Sequence, residues 1–248
     1  MPRRESWPAP RVLLVTGTDT GVGKTVVSAA LAAALHSRKR RVAVYKPVQT
    51  GVRPGEPGDM EEVARLAAVH THEGARLVAP MAPRAVAELE CVELPTLDDH
   101  AEAVAGLLDG HDVVVVEGSG GLLVELTDAG EDLASLAECL PDSATVVAAR
   151  SGLGTLNHTF LTLEALSRRG LWTLGTVLGA WPEQPDAIAV SNRRRLEDAP
   201  GGLVGVVPER APRTPTVDFR REATTWLGDV TRLWDPVPAG VSCGEGPT

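Results

Sequence analysis

Aromatic residues are scarce in this chain of 248 residues: two Phe, one Tyr and five Trp make up 3% of it, too few for the stacking platforms that hold single-stranded nucleic acid. Basic charge is not in excess either. The formal net charge is −9, so the chain lacks the cationic surface that a phosphate backbone demands, and no nucleic-acid partner is expected. Cysteine is limited to Cys91, Cys139 and Cys243. Odd in number and far apart, they form no Cys-x-x-Cys pair for zinc or redox work and suit a reducing compartment. Long apolar runs are absent: Val12 to Val15 and Val113 to Val116 fall far short of the ~18 residues of a membrane span. Arg3 and Arg4 resemble a signal-peptide start, but no apolar core of the needed length follows. A soluble cytoplasmic protein with no membrane partner is the expectation.

What is present is an ordinary globular composition, 43% hydrophobic and 23% charged, sufficient for one α/β domain with a buried sheet. The composition divides the chain into a flexible tail at residues 1–10, a domain over 11–234 and a second flexible tail at 235–248, both tails being rich in Pro and Gly or Ser. Short β-branched runs at Val12 to Thr16, Val42 to Tyr45, Asp112 to Glu117, Ala144 to Ala148, Thr173 to Leu178 and Leu203 to Val207 read as strands. Most are apolar throughout, as strands covered on both faces are. Helical patterns lie between them, at Thr25 to Ser37, Glu61 to Val69, Leu97 to Leu108, Leu133 to Leu140, Asn157 to Arg169 and Asp186 to Leu196. The pattern predicts a doubly wound, mostly parallel sheet with helices on both faces. Pro54 to Asp59 reads as a mobile loop, and the basic run Arg38 to Arg41 as the cationic end of the first helix.

Three segments carry chemistry. Gly17-Thr18-Asp19-Thr20-Gly21-Val22-Gly23-Lys24-Thr25 follows an apolar run and opens a helix, the context of a phosphate-binding loop. Glycines let backbone N–H groups face the phosphates, the helix start adds positive potential, Lys24 reaches the outer phosphates, and the Thr25 hydroxyl suits Mg²⁺. Five residues rather than four separate Gly17 from Gly23, so the loop is a variant of the general pattern. The second segment is a buried strand ending in Glu117, followed by Gly118-Ser119-Gly120-Gly121. In open α/β sheets ligands sit beyond the carboxyl ends of strands, which makes Glu117 a metal-ligand candidate; a helix cap or a solvated acid is the alternative. Third, Lys46-Pro47-Val48-Gln49-Thr50-Gly51 follows a neighbouring strand. Lys46 is either a second cation in the crevice or a solvated lysine before a proline turn.

Together with Gly154-Thr155-Leu156-Asn157-His158, these segments resemble the dethiobiotin synthetase family, P-loop NTPase-fold ligases, over Val12 to Trp234. The resemblance implies a cyclo-ligase of biotin biosynthesis that uses 7,8-diaminononanoate, CO₂ and ATP with Mg²⁺, forms a carbamic-phosphoric anhydride, and works as a homodimer with a composite active site. It further implies Lys46, Lys24 and Thr20 as catalytic residues, and Thr25, Asp59 and Glu117 as metal ligands. Gly21, Val22, Gly23, Lys24, Thr25, Val26, Gly118, Ser119 and Gly120 would surround the nucleotide together with Asp59 and Glu117, with Pro208, Glu209 and Arg210 at its base edge. Thr50, Gly154, Thr155, Leu156 and Asn157 would hold the substrate, the last four from the opposite subunit. Asn157 also suits a plain helix N-cap. Residue 19 is Asp where partitioning and targeting ATPases of related fold place a lysine, which disfavours that nucleotide-switch class. An amidotransferase of the cobyrinate type would need a glutaminase domain, for which the sequence leaves no room. Gly179-Ala180-Trp181-Pro182 lacks the asparagine that many family members set against adenine, so loose base selectivity is expected; Trp181 either stacks on the base or covers the sheet edge.

Overall fold

The computed structural model describes residues 9–234. Seven strands, β1 (Val12–Gly17), β2 (Val42–Gln49), β3 (His70–Arg76), β4 (Val113–Gly121), β5 (Ser143–Ala149), β6 (Thr173–Trp181) and β7 (Leu203–Pro208), form one sheet in the order β3-β2-β4-β1-β5-β6-β7. Every pairing is parallel. Eight α-helices accompany them: α1 (Lys24–Ser37), α2 (Asp59–Ala67), α3 (Pro83–Glu90), α4 (Leu97–Gly110), α5 (Leu133–Cys139), α6 (Thr155–Arg168), α7 (Ala187–Glu197) and α8 (Thr216–Trp226). The tails expected at 1–10 and 235–248, with Cys243, lie outside the described residues except for Ala9 and Pro10. Cys91 and Cys139 are free and exposed.

Side chains alternate across a strand, and the central strands divide their residues between two cores accordingly. Leu13, Val15, Val113 and Val115 pack with α1, α2 and α8, whereas Val12, Leu14, Val114 and Val116 pack with α3, α4 and α5. Both faces are therefore covered, and the strands read as continuous apolar runs. Helix α1 is buried from Val26 to Leu35; its small alanines let it lie between the sheet, α2 and α8. A polar tie crosses the second core, where the buried Tyr45 hydroxyl meets His100 Nδ1 of α4 at 2.8 Å. Burial pushes the Tyr45 phenol up to about 12.

Three elements escape the sequence pattern. Strand β3, His-Thr-His-Glu-Gly-Ala-Arg, lies at the sheet edge with no residue fully buried, so it needs no apolar face, and its charges discourage further pairing. Helices α3 and α8 bury few residues, α3 Pro83, Val86 and Ala87 and α8 only Phe219 and Ala223. Three strands also run longer than expected, β6 continuing past Leu178 to Trp181. Strand β2 continues through Lys46 and Pro47 to Gln49, so Lys46 does not precede a turn; pairing with β4 ends at Tyr45, and the missing N–H of Pro47 breaks no ladder on that side. Strand β4 extends past Glu117 to Gly121. Helix α2 begins at Asp59, which thus leaves the expected loop and forms the first turn of a helix. Of the basic run, Arg38 caps α1, while Arg41 pairs with Asp112 at 2.8 Å.

Candidate active site

The chain leaves β1 toward β2 on one side, and later leaves β4 toward β5 on the other. The carboxyl ends of β1 and β4 therefore open at a switch point, where α/β sheets bind ligands. The phosphate-loop segment spans from β1 to α1, and Gly23 is the N-cap of α1 with φ 93°, a left-handed conformation suited to glycine. A second glycine makes that turn possible. Gly179 of β6 crosses the loop so closely that a Cβ there would lie 2.1 Å from the Val22 carbonyl oxygen. No side chain fits at residue 179.

Lys46, 3% exposed, reaches from β2 into the crevice and meets two carboxylates, Glu117 Oε1 at 2.8 Å and Asp59 Oδ2 at 2.7 Å. Its ammonium also donates to the Gly118 carbonyl at 3.4 Å. The Thr25 hydroxyl donates to Glu117 Oε1 at 3.0 Å. Burial opposes charge on Lys46, but Glu117 and then Asp59 outweigh it and hold the ammonium above the ordinary lysine value. Burial likewise opposes charge on Asp59, and Lys46 keeps that carboxyl below the ordinary range. Lys24 differs. It donates to a single backbone carbonyl, that of Asp19, at 3.1 Å, and burial followed by the nearby Lys46 charge pushes it below the ordinary lysine value.

The expected metal-ligand set, Thr25, Asp59 and Glu117, thus converges on one point. The donors are hard oxygens, and Glu117 Oε2 is buried without a hydrogen-bond partner, a set that suits Mg²⁺ with phosphate and water completing it. Ser119 donates to the Val48 carbonyl at 2.6 Å, fixing the turn after Glu117 against β2. Gln49 joins the site from the structure alone: its buried amide accepts from the Asp59 N–H at 2.8 Å and donates to the Thr50 carbonyl at 2.9 Å. A buried amide three residues after Lys46 in the same strand is the signal that marks it.

Two further groups lie at the rim. Glu209 N–H donates to the Trp181 carbonyl at 2.8 Å, which joins Pro208 to Arg210 with the end of β6. Arg210 pairs with Glu222 at 2.6 Å, and Arg193 lies 5.4 Å over the Trp181 ring. In the Gly154 to Asn157 segment, the N-cap of α6 is Gly154, with φ 89° and no side-chain cap. Asn157 is therefore not the cap: it is exposed within the first turn. Thr155 is fully buried and Leu156 packs on the core, so Gly154 and Asn157 alone of the four are exposed.

A family model described as an AAA domain matches residues 11–216. An ATP-dependent dethiobiotin synthetase of Rhodococcus jostii is 48% identical over 87% of this chain and 94% of its own length. The chain belongs to the dethiobiotin synthetase family. A second synthetase, from Streptomyces avermitilis, is 49% identical over 90% of this chain and 95% of its own. More distant structures share the fold alone: the septum site-determining protein MinD of Pyrococcus horikoshii has a TM-score of 0.55 at 17% identity, covering 90% of this chain and 93% of that one. Cobyrinic acid a,c-diamide synthase of Mycobacterium smegmatis has a TM-score of 0.50 at 21% identity, over 86% and 92%. Membership in the synthetase family, rather than the switch ATPases, accords with Asp19 in the loop. No helix among the described residues is long and apolar enough to cross a membrane.

Proposed function

We propose that this chain is a cytoplasmic, homodimeric, Mg²⁺-dependent dethiobiotin synthetase that joins 7,8-diaminononanoate and CO₂ at the expense of ATP. The observation that carries the reading is the cluster of the buried Lys46 and Glu117 with the half-buried Asp59 and Thr25 beside the phosphate loop, in a chain 48% identical to a synthetase of that name. One substrate amine adds to CO₂, forming an N–C bond and losing a proton, and a carbamate oxygen then takes the γ-phosphoryl group as its bond to ADP breaks. The second amine attacks the carbamoyl carbon and loses a proton, the C–O bond to phosphate breaks, inorganic phosphate leaves, and the ureido ring closes.

Each stage concentrates negative charge, so the catalyst must place cations and donors rather than a strong base. Lys24 lies on a carbonyl it can exchange for a phosphate oxygen, Lys46 supplies a permanent cation, and Thr20 offers its hydroxyl at the loop. Gln49 orients the start of α2, and with it Asp59, and it holds the Thr50 carbonyl from β2. Thr25, Asp59 and Glu117 would hold Mg²⁺, which, when bound, offsets phosphate charge. Gly21 to Val26 and Gly118 to Gly120 border the phosphates, and Pro208 to Arg210 the base.

The substrate carboxylate is assigned to Gly154 to Asn157 of a second subunit. Leu153, Phe160 and Leu161 beside that segment are 84%, 37% and 57% exposed, an apolar surface that a second copy would cover. The test is whether ATP hydrolysis requires diaminononanoate and bicarbonate together. Hydrolysis that proceeds alone, or that is driven by glutamine, would reject the reading.

A further inference from the structure

Asp19 places a carboxylate inside a loop built to bind anions, and an uncompensated charge there would oppose the incoming triphosphate. The structure compensates it. Arg150 Nη2 pairs with Asp19 Oδ2, and Asp19 Oδ1 accepts the Thr20 N–H at 2.7 Å. The carbonyl of the same Asp19–Thr20 peptide accepts the Lys24 ammonium at 3.1 Å. One peptide unit is thus held at both ends: its N–H by the carboxylate that Arg150 engages, its C=O by the phosphate-loop lysine.

The base from which Arg150 reaches is fixed. Strand β5 ends at Ala149 and pairs with β1 up to Gly17 opposite Ala148, and the Thr18 N–H extends that pairing to the Ala148 carbonyl at 3.0 Å. Just beyond Arg150, the Asn192 amide donates to the Ser151 and Gly152 carbonyls at 2.9 and 3.0 Å. The ion pair itself is about half exposed, 43% and 49% for the two side chains, and such pairs add little to folding stability. Its effect is local to the loop.

We propose that Arg150 and Asp19 are positioning residues of the phosphate loop: the guanidinium neutralises and orients the Asp19 carboxylate, which sets the Asp19–Thr20 peptide and through it the position of Lys24. The proposal rests on the phosphate-loop reading of residues 17–25. It gives a physical role to an aspartate at the loop position where the related switch ATPases are expected to carry a lysine.

The test is a double-mutant cycle read by MgADP calorimetry and ATP-dependent ligase kinetics. Arg150→Ala is expected to weaken MgADP binding and raise the KM for ATP about threefold to tenfold, the range of a partly exposed charge contact up to a charge-assisted hydrogen bond. The KM for diaminononanoate should stay within about twofold, because the altered peptide faces the phosphates. Arg150→Lys should recover most of the nucleotide affinity. The decisive variant is Asp19→Asn/Arg150→Ala, in which the carboxylate no longer needs a counter-charge. It should bind MgADP within about twofold of Asp19→Asn alone, a non-additivity that a merely structural arginine does not produce. A double variant that falls below Asp19→Asn by the same factor that Arg150→Ala loses from wild type, or an Arg150→Ala protein that loses thermal stability with nucleotide affinity unchanged, would overturn the proposal. Wild-type protein that fails to bind MgADP, with Lys24→Ala indistinguishable from it, would instead overturn the loop reading and the proposal with it.

Discussion

Replacing Lys46 with Met keeps the apolar stem and removes the ammonium that Glu117 and Asp59 share. The two carboxylates do not suffer equally. The Asp59 side chain is 34% exposed and regains water, whereas that of Glu117, at 1%, does not. Glu117 would then rely on the Thr25 hydroxyl and more distant charge alone. Removing one partner of a buried ion pair costs about 3–5 kcal/mol, which for a chain of this size lowers Tm by roughly 6–20 °C at about 2–4 °C per kcal/mol. The measurement is thermal denaturation without nucleotide and with EDTA, so that no metal substitutes for the lost cation. Because Glu117 is the carboxylate that cannot rehydrate, Lys46→Met/Glu117→Gln should recover most of the lost Tm, and Lys46→Met/Asp59→Asn much less. Turnover behaves differently: a missing fixed charge at the reacting phosphoryl group costs on the order of 10²–10³ in kcat, and neither double variant restores it. A single variant melting within about 2 °C of wild type, or a rescue by Asp59→Asn in place of Glu117→Gln, would refute the assignment of the cost to Glu117.

Other consequences are equally open to measurement. Lys24 sits below the ordinary lysine value in the ligand-free chain, and bound phosphates favour its charged form, so nucleotide binding should take up protons increasingly as the pH is raised toward the ordinary lysine range; calorimetry in buffers of different ionisation enthalpy would read a release, or zero, throughout that range if this is wrong. With no side chain possible at Gly179, ATP, GTP and CTP should serve as donors within about a hundredfold of one another, and a larger preference for ATP would point to a base-reading group elsewhere. Asn157→Asp should raise the KM for diaminononanoate more than it lowers kcat. Mixed with Lys46→Ala protein it should yield active heterodimers, whereas verified heterodimers without activity would reject a shared site.

The parts of this molecule legible from sequence are those in which local chemistry and periodicity agree. Six of the seven strands follow from β-branched runs because both sheet faces are covered, so burial writes itself into nearly every residue. The phosphate loop is legible because backbone phosphate binding needs glycines at fixed places within a few residues of a strand and a helix. Lys46 and Glu117 are legible for a different reason: a charged residue at or beyond an apolar strand in a doubly wound sheet stands at its ligand-binding end. The same rule applies to Arg150, directly after β5, the partner of Asp19. Edge strand β3 and helices α3 and α8 bury too little to leave a period. The ends of β2 and β4 are hidden because Pro47 and the glycines after Glu117 look like turn residues, although beyond Tyr45 strand β2 no longer pairs with β4 and the missing Pro47 N–H breaks no ladder there.

The two lysines of the site show what the sequence does not contain. They belong to one residue type, lie in one crevice and are both nearly buried, at 8% and 3% exposure, yet their surroundings push their basicity in opposite directions. Opposed shifts in a shared site separate roles. Lys46, fixed between two carboxylates, is a standing charge whose loss disturbs the folded chain as well as the chemistry. Lys24, held by a single carbonyl and repelled by Lys46, gains far more from an arriving phosphate than it gives up. Binding energy at the loop is therefore concentrated where the nucleotide's outer charge arrives, and the Asp19–Arg150 pair keeps the one fixed anion of the loop from cancelling it. That distribution depends on which neighbour each lysine finds after folding, and three-dimensional proximity, not local pattern, decides it.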